Sequence, residues 1–256
     1  MDFGFIVAGF LVGFLVGLTG VGGGSLMTPI LLLFFHIKPA FAVGTDLLYA
    51  SVTKSVGIFA HGKLGNIDWR IVKLLAAGSV PASIGTILFL RTINVESNDA
   101  IATIKFSLGV ALIVTSAAVL LRAKLMSMLA KETLIPQPYV AASTVFLGIV
   151  LGGLVTLTSV GAGALGVTAL IVLYPKKKIT TIIGSDIAHA VPLTLVAGLG
   201  HASLGTVDYS LLGTLLIGSI PGIYIGSHLS AKVAEHWIRI ALATILIYVG
   251  LKLVLH

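Results

Sequence analysis

Ten apolar segments with almost no charge dominate this sequence, and only short connections separate them. They fall at about 3–19, 25–36, 40–61, 70–91, 100–122, 138–158, 164–174, 179–201, 210–229 and 236–255. Most have the ~20 residues that an α-helix needs to cross a bilayer core of ~30 Å. Charged residues make up 10% of the chain, against about 25% in a soluble domain, and the mean hydropathy is +1.11. The sequence therefore predicts an all-α polytopic membrane protein.

Two of the segments, 25–36 and 164–174, are too short to cross the membrane as ordinary helices. At 1.5 Å per residue, each covers roughly half to two-thirds of the hydrocarbon core. Each directly follows a glycine-rich break, Gly20-Val21-Gly22-Gly23-Gly24-Ser25 in one case and Ser159-Val160-Gly161-Ala162-Gly163-Ala164 in the other. Unwound backbone at membrane depth is tolerated only inside protein or beside a watery cavity. Because such breaks commonly mark a transporter's substrate site, the pattern favours a membrane carrier.

The two halves of the chain repeat each other at an offset of about 140 residues. Three motifs match in register. They are Gly44-Thr45-Asp46 with Gly184-Ser185-Asp186, the His61–Trp69 connection with His201–Tyr209, and Gly78-Ser79-Val80-Pro81 with Gly218-Ser219-Ile220-Pro221. We therefore predict a first transmembrane repeat at 1–122, a cytoplasmic linker at 123–137 and a second repeat at 138–256.

Positive charges decide whether the two copies run parallel or inverted. If each break turns the chain back as a hairpin, the second copy is inverted and the basic residues of the connections split eleven to four between the two sides. If each break lies within one crossing, the copies are parallel and the split is seven to eight. Basic residues concentrate in the cytoplasm, so the inverted arrangement is favoured. It places the protein in the cell membrane with both termini extracytoplasmic.

Backbone amides at the two breaks are the predicted substrate site. Glycine and alanine also let membrane helices pack closely, but adjacent glycines lack the four-residue spacing of a packing motif. They instead allow exposed amides at the positive end of the next half-helix, which suits an anion. Hydroxyls at neighbouring positions could add hydrogen bonds to the anion. The predicted substrate-binding residues are Gly22, Gly23, Gly24, Ser25, Thr45, Lys54, Gly161, Ala162, Gly163 and Ser185.

Four charged or titratable residues of the apolar segments are candidates for a functional role. Lys54 is near the middle of 40–61, and a lysine at that depth is costly, so it is either an anion's charge partner or a structural ion pair. Asp46 and Asp186 each follow Gly and Thr or Ser near a helix start, where they either cap the helix or couple transport to a proton or cation. His189 shares a helical face with Asp186 and could relay a proton. The repeated His61–Asp68 and His201–Asp208 connections are expected to order loops.

Several other classes of protein fit poorly. The chain has no cysteine, which excludes disulfides and thiol chemistry. Its net charge of +7 comes from basic residues in the connections, which suits lipid and orientation rather than nucleic acid. The sequence has no zinc-protease or serine-elbow motif, which argues against an intramembrane enzyme. A passive anion channel remains an alternative to a carrier. No cofactor or metal is expected, and a homo-oligomer is left open.

The breaks and their neighbours resemble a known family. Gly20–Pro29, Gly44-Thr45-Asp46 and Thr158–Gly163 are similar to the sulfite exporter TauE/SafE-like family of membrane permeases. That resemblance implies a duplicated permease for sulfite, sulfonates or related organosulfur anions. Alternating access by rocking of the two halves would follow. Since no nucleotide-binding motif is present, coupling would come from an ion gradient or another subunit.

Overall fold

The computed structural model describes residues 2–19, 24–63, 66–129, 136–229 and 235–255, and all regular structure within them is α-helical. In chain order the helices are α1 (Asp2–Thr19), α2 (Gly24–Leu33), α3 (Pro39–Lys63), α4 (Trp69–Thr92), α5 (Asn98–Leu129), α6 (Gln137–Thr158), α7 (Ala164–Leu173), α8 (Ile179–Ser203), α9 (Tyr209–Leu229) and α10 (Glu235–Leu255). Within this part of the chain, five helices are long and apolar enough to cross a membrane, namely α4, residues Asn98–Arg122 of α5, α6, α8 and α9. The predicted all-α polytopic fold is confirmed.

The two short segments form half-length helices that turn the chain back. α2 and α7 have 10 residues each, or about 15 Å. The ring of Phe5, near the start of α1, lies 4.6 Å from the ring of Phe35, just beyond the end of α2. In the second half, the hydroxyls of Thr144 and Tyr174 are 2.8 Å apart, which brings the start of α6 to the end of α7. α2 therefore runs opposite to α1, and α7 opposite to α6.

Small residues allow two long pairs of helices to lie unusually close. α1 runs parallel to α9, because Gly9 meets the carbonyl of Leu215 and Gly13 meets Ser219. A Cβ atom at Gly13 would lie 2.8 Å from the Cα of Ser219. α6 runs parallel to α4 in the same way, with Gly148 against the carbonyl of Leu75. Glycines at these positions let the backbones pack directly.

Two other pairs run antiparallel and join a helix to its counterpart in the other half. At one end of the α3–α8 pair, the Thr45 hydroxyl accepts a hydrogen bond of 3.0 Å from the Asp208 amide. At the other end, the Ser185 hydroxyl accepts one of 2.8 Å from the Asp68 amide. α5 and α10 are antiparallel because Ser116 donates to the Ala243 carbonyl at 2.8 Å, whereas the earlier Gly109 packs against the later Gly250. Exchanging the two halves converts the Thr45–Asp208 contact into the Ser185–Asp68 contact, and the α1–α9 pairing into the α4–α6 pairing.

The connection between the halves is partly helical. α5 continues to Leu129 and α6 begins at Gln137, so the first part of the predicted linker at 123–137 extends α5. Residues 130–135 lie outside the described part of the chain. The repeat boundaries at 1–122 and 138–256 stay predictions.

Candidate functional site

The centre of the structure is the antiparallel α3–α8 pair. In its most apolar window α8 is 67% buried, against 33% to 44% for the other four candidate spans of the described chain. Such burial means that polar side chains on α8 face protein rather than lipid. On α8 these include Ser185, Asp186 and His189, and on α3 Thr45, Asp46 and Lys54, all buried. Six of the ten predicted substrate-binding residues are described in full, namely Thr45, Lys54, Gly161, Ala162, Gly163 and Ser185.

The second break has the backbone geometry that the sequence suggests. α6 ends at Thr158, and Ser159 follows in the left-handed conformation with φ of 59°. Gly161 and Gly163 have φ of 122° and 125°, values that favour glycine. Ala162 lies between them and is buried. Two positive-φ glycines thus reverse the chain within a few residues and start α7 in the protein interior.

The first break is described only where it ends. Gly22 and Gly23 lie outside the described residues, as does the side chain of Ser25. Gly24 is the first residue of α2. An anion nest at Gly22 and Gly23 therefore stays a prediction.

Each half-helix meets a carboxylate of the same repeat with its amino-terminal half. Asp46 Oδ2 accepts a hydrogen bond of 2.6 Å from the Thr28 hydroxyl and one of 3.2 Å from the Thr28 amide. Asp186 Oδ1 lies directly against Gly166 in the first turn of α7. A negative group at a helix amino terminus is favoured by about 0.3–2 kcal/mol, depending on burial.

This geometry corrects one interpretation of the two aspartates. As the eighth residues of α3 and α8, Asp46 and Asp186 are too far along to cap their own helices. They complement the dipoles of α2 and α7 instead. Sequence spacing could not show this, because the contact depends on how each hairpin packs against the following helix.

Lys54 crosses from the first repeat to the break of the second. Its side chain is 5% exposed, and its Nζ donates a hydrogen bond of 3.0 Å to the carbonyl oxygen of Ala162. Asp186 and Asp46 are close enough to attract its charge, although neither forms a direct ion pair with it among the described residues. The lysine is therefore within electrostatic reach of two carboxylates and lies beside unwound backbone.

The polar atoms around Lys54 are incompletely hydrogen bonded. Among the described residues, the buried side-chain atoms without a partner include Asp46 Oδ1, Ser159 Oγ, both carboxylate oxygens of Asp186 and Nδ1 of His189. Ser159 lies next to the Asp46 carboxylate. Buried polar groups are nearly always satisfied in folded proteins, so each exception requires an explanation. A cluster of exceptions is what a site for protons or a polar ligand provides.

His189 and Tyr49 occupy equivalent positions and make equivalent contacts across the interface between repeats. His189 Nε2 and the Ser79 hydroxyl of α4 are 2.8 Å apart. The Tyr49 hydroxyl donates to Ser219 of α9 at 2.9 Å. His189 is thus hydrogen bonded to Ser79 rather than to Asp186. Among the described residues no hydrogen bond joins His189 to Asp186, so the structure does not support a direct proton relay between them.

Sequence reasoning missed three contributors to this region, Thr28, Tyr49 and the Ser79/Ser219 pair. The signal for the serines was present, since both belong to the repeated Gly-Ser-x-Pro motif.

Thr45 and Ser185 are buried at the two ends of the α3–α8 pair. Their hydroxyls accept hydrogen bonds from the amides of Asp208 and Asp68, so they hold the starts of α9 and α4.

The repeated connections between helices are themselves fixed by hydrogen bonds. His201 Nε2 donates to the Thr156 carbonyl at 3.0 Å, and Asp208 Oδ1 accepts from the Leu211 amide. The side chain of His61 lies outside the described residues.

Comparison with known proteins identifies the family of this chain. The profile of the sulfite exporter TauE/SafE family matches residues 5–253. The chain belongs to this family. It is 41% identical to the probable membrane transporter protein YjnA of Bacillus subtilis, over 99% of this chain and 100% of that one. It is 28% identical to the probable membrane transporter protein MJ0441 of Methanocaldococcus jannaschii, over 98% and 94% of the two chains.

A further relative, the probable membrane transporter protein YdhB of Bacillus subtilis, is 27% identical over 87% of each chain. No solved structure matches the chain. A TauE/SafE family member with these apolar helices is an integral membrane protein, and its curated relatives are named as membrane transporters.

Proposed function

We propose that this protein is a secondary transporter that moves a small sulfur-containing oxyanion or organosulfonate by alternating access. The observation that carries the proposal is the contact of Lys54 with the Ala162 carbonyl. It places a buried cation from one repeat at the broken helix of the other. Polar and charged groups inside a membrane protein mark substrate and ion pathways. Broken helices at a repeat interface are the usual place for such a site.

The charges of the site favour an anion that travels with protons. Lys54 contributes one positive charge, and Asp46 and Asp186 contribute two negative charges when ionised. The ionised cluster therefore has a net charge of −1 and repels an anion. Protonation of both carboxylates changes the net charge to +1 and turns the site into an anion receptor. We infer proton–anion cotransport, with the aspartates as the proton carriers.

The arrangement of the helices supports an inverted relation between the two repeats. The counterpart helices α3 and α8 run antiparallel, as do α5 and α10. Two copies related by an axis in the membrane plane have this property, whereas copies related by an axis along the membrane normal run parallel. We therefore propose that the eleven basic residues face the cytoplasm and that both termini are extracytoplasmic.

Proteoliposomes offer a direct test of transport. Vesicles loaded with unlabelled sulfite should accumulate radiolabelled sulfite by counterflow, and an imposed pH gradient should drive net uptake. Protein-free liposomes control for passive leak of the protonated species. Flux without counterflow accumulation would identify a passive channel instead. Absence of flux with sulfite, sulfate, thiosulfate, sulfoacetate and taurine would overturn the sulfur-anion proposal.

Orientation can be tested separately, because the chain has no native cysteine. A single cysteine in place of Lys38 should react with an impermeant maleimide added outside intact cells, and one in place of Lys177 should react only after permeabilisation. The reverse pattern would overturn the proposed orientation but not the transport activity.

A further inference from the structure

A basic pocket lies well away from the buried aspartates, at the carboxyl end of α2. Its volume is about 340 Å³. Three lysines from three different elements line it, Lys38 at the start of α3, Lys105 on α5 and Lys252 on α10, and His36 completes the rim. Its floor is apolar, with Leu32 and Leu253 among the lining residues. We call these residues the lysine pocket.

The position of these lysines runs against the general distribution of charge in the protein. In the inverted arrangement, eleven basic residues lie on one side and four on the other, namely Lys38, Arg91, Lys105 and Lys252. Three of those four line the lysine pocket. Since basic residues are disfavoured on the extracytoplasmic side, their convergence on one cavity requires a reason other than orientation.

Acidic side chains do not neutralise the pocket. Lys38 pairs with Glu96 at 2.7 Å, but both side chains are more than half exposed, so the pair is weak. Within the described part of the chain, no carboxylate pairs with Lys105 or Lys252. The fourth basic residue of this side, Arg91, lies outside the pocket and donates to the Ser203 hydroxyl at 2.7 Å. A net positive cavity therefore remains.

We propose that the lysine pocket binds a small oxyanion, and that it captures or releases the transported anion on the extracytoplasmic side. This inference rests on the proposed anion transport. Ammonium groups donate charge-assisted hydrogen bonds to sulfonate, sulfite or phosphate oxygens. α2 extends from this pocket to Thr28, which contacts Asp46. The same short helix thus connects the pocket with the buried site.

Amine labelling in nanodiscs tests occupancy without requiring transport. Both faces of the protein are accessible in a nanodisc. An amine-reactive ester would be added to protein in neutral phosphatidylcholine discs, in sodium methanesulfonate, sodium sulfate or sodium chloride of equal ionic strength. Mass spectrometry would quantify modification at Lys105 and Lys252, with exposed Lys73 of α4 as the internal reference. Labelling of the two pocket lysines should slow about fivefold in methanesulfonate or sulfate relative to chloride, with Lys73 unchanged.

The outcomes separate the sources of the oxyanion. Equal labelling in all three salts would overturn the proposal and leave the lysines as partners of the carbonyls at the end of α2. Protection that requires phosphatidylglycerol in the disc, and that soluble anions do not produce, would identify a lipid headgroup and also overturn it. Protection that persists in Lys54→Met would show that the lysine pocket binds anions independently of the buried site.

Kinetics provide the second measurement. Lys105→Gln and Lys252→Gln should each raise the KM for extracytoplasmic sulfite about fivefold and leave kcat unchanged. Arg91→Gln, which removes a charge from the same side but outside the pocket, is the matched control and should leave KM unchanged. An equal rise in KM for Arg91→Gln would indicate general surface attraction and overturn a specific pocket. If the unmutated protein transported no sulfite, the proposed function would be wrong. The labelling experiment would still show whether the lysine pocket binds an oxyanion.

Discussion

Lys54 Nζ donates a hydrogen bond to the carbonyl oxygen of Ala162 at 3.0 Å. The side chain of a lysine on α3 therefore contacts the unwound segment between α6 and α7. The same lysine is attracted by Asp186 of the second repeat and Asp46 of the first. One side chain thus connects both half-helix sites. A movement of one repeat against the other must change this contact, which makes Lys54 a natural link between substrate binding and alternating access.

Lys54→Met should abolish sulfite counterflow while the protein still folds. Methionine is unbranched, flexible and only one atom shorter than lysine, but it lacks the charge that Asp186 and Asp46 attract. The anion would lose its contact with the Lys54 ammonium group, and a hydrogen bond to a charged group contributes up to about 3 kcal/mol, so transport should fall about a hundredfold. Counterflow in proteoliposomes measures this effect, and size-exclusion chromatography checks folding.

Thr194→Val is the matched control for that variant. Thr194 is the residue of α8 that corresponds to Lys54 by the 140-residue offset, and its hydroxyl donates to the Ala190 carbonyl of its own helix. Transport should stay within about twofold of the unmutated rate. Counterflow retained in Lys54→Met would remove Lys54 from the substrate site.

Asp46→Asn and Asp186→Asn should separate exchange from proton-driven uptake. Asparagine mimics the protonated carboxyl in shape and charge, so the site keeps its positive balance from Lys54. Counterflow exchange should persist, whereas an imposed pH gradient should no longer drive accumulation. Asp99→Asn, an exposed acid in the first turn of α5, should leave both activities unchanged. Accumulation that still follows the pH gradient in both aspartate variants would exclude these residues as the proton carriers.

Thr28→Val should lower stability because it removes the short hydrogen bond from Thr28 Oγ1 to Asp46. Hydrogen bonds to charged groups contribute about 1.5–3 kcal/mol, and the buried carboxylate would keep only the Thr28 amide as its donor. Thermal unfolding in detergent measures the loss. The equivalent residue on α7, Thr168, donates mainly to the Ala164 carbonyl of its own helix, so Thr168→Val should have a much smaller effect. Equal losses for the two variants would contradict the special role of Thr28.

The architecture of each repeat could be predicted from the sequence, but the pairing of helices could not. Apolar length, glycine breaks and the repeated motifs located α2, α7 and the duplication. The pairing of helices could not be predicted because membrane helices are apolar on all faces. Hydrophobic periodicity therefore does not show which face of a helix contacts which partner. One signal was available. Gly9, Gly13 and Gly17 on α1, and Gly218, Gly222 and Gly226 on α9, each recur every fourth residue, as close helix packing requires.

The same limit applies to the buried site. Lys54, Asp46 and Asp186 could be selected as costly charges in apolar surroundings. Their partners could not, since Thr28 and Ala162 meet them only after both hairpins have folded back. Thr45 and Ser185 were expected to bind substrate, but their hydroxyls accept hydrogen bonds from loops of the opposite repeat. These contacts also depend on how the two repeats pack together, which the sequence does not show.

Gly218→Ala should weaken the α1–α9 pair. A Cβ atom at Gly218 would overlap the carbonyl of Ile6 and lie 2.8 Å from the amide nitrogen of Phe10, so the helices would have to separate. Overpacking of this kind costs about 1–3 kcal/mol. Gly213→Ala, on the same helix with no neighbouring atom within 4 Å of the added carbon, should instead stabilise the protein by up to about 1 kcal/mol. Thermal unfolding should therefore shift in opposite directions, and shifts of the same sign would contradict the packing assigned to Gly218.

The Asp68–Lys177 ion pair should make stability depend on pH at the predicted cytoplasmic end. Lys177 Nζ lies 2.8 Å from Asp68 Oδ2, and Asp68 Oδ1 accepts from the Arg70 amide at the start of α4. Partial burial works against ionisation, but the hydrogen bond and charge of Lys177, with the amides of Arg70 and Ile71, hold the pKa of Asp68 below its usual value. A depressed pKa stabilises the fold above the unfolded value of about 4, and this contribution disappears as the pH falls through the folded pKa.

Lys177→Gln should raise the pKa of Asp68 and move that loss to higher pH. Its effect at neutral pH should be small, about 0.2–1 kcal/mol, because both partners are partly exposed. Thermal unfolding followed between about pH 3 and pH 6 measures the shift. Lys176→Gln removes the same charge one residue earlier and should leave the profile unchanged. In Asp68→Asn the Lys177 substitution should have no further effect on the pH profile, since the titrating group is absent; a shift that persists in the double variant would show that Lys177 acts through another acid.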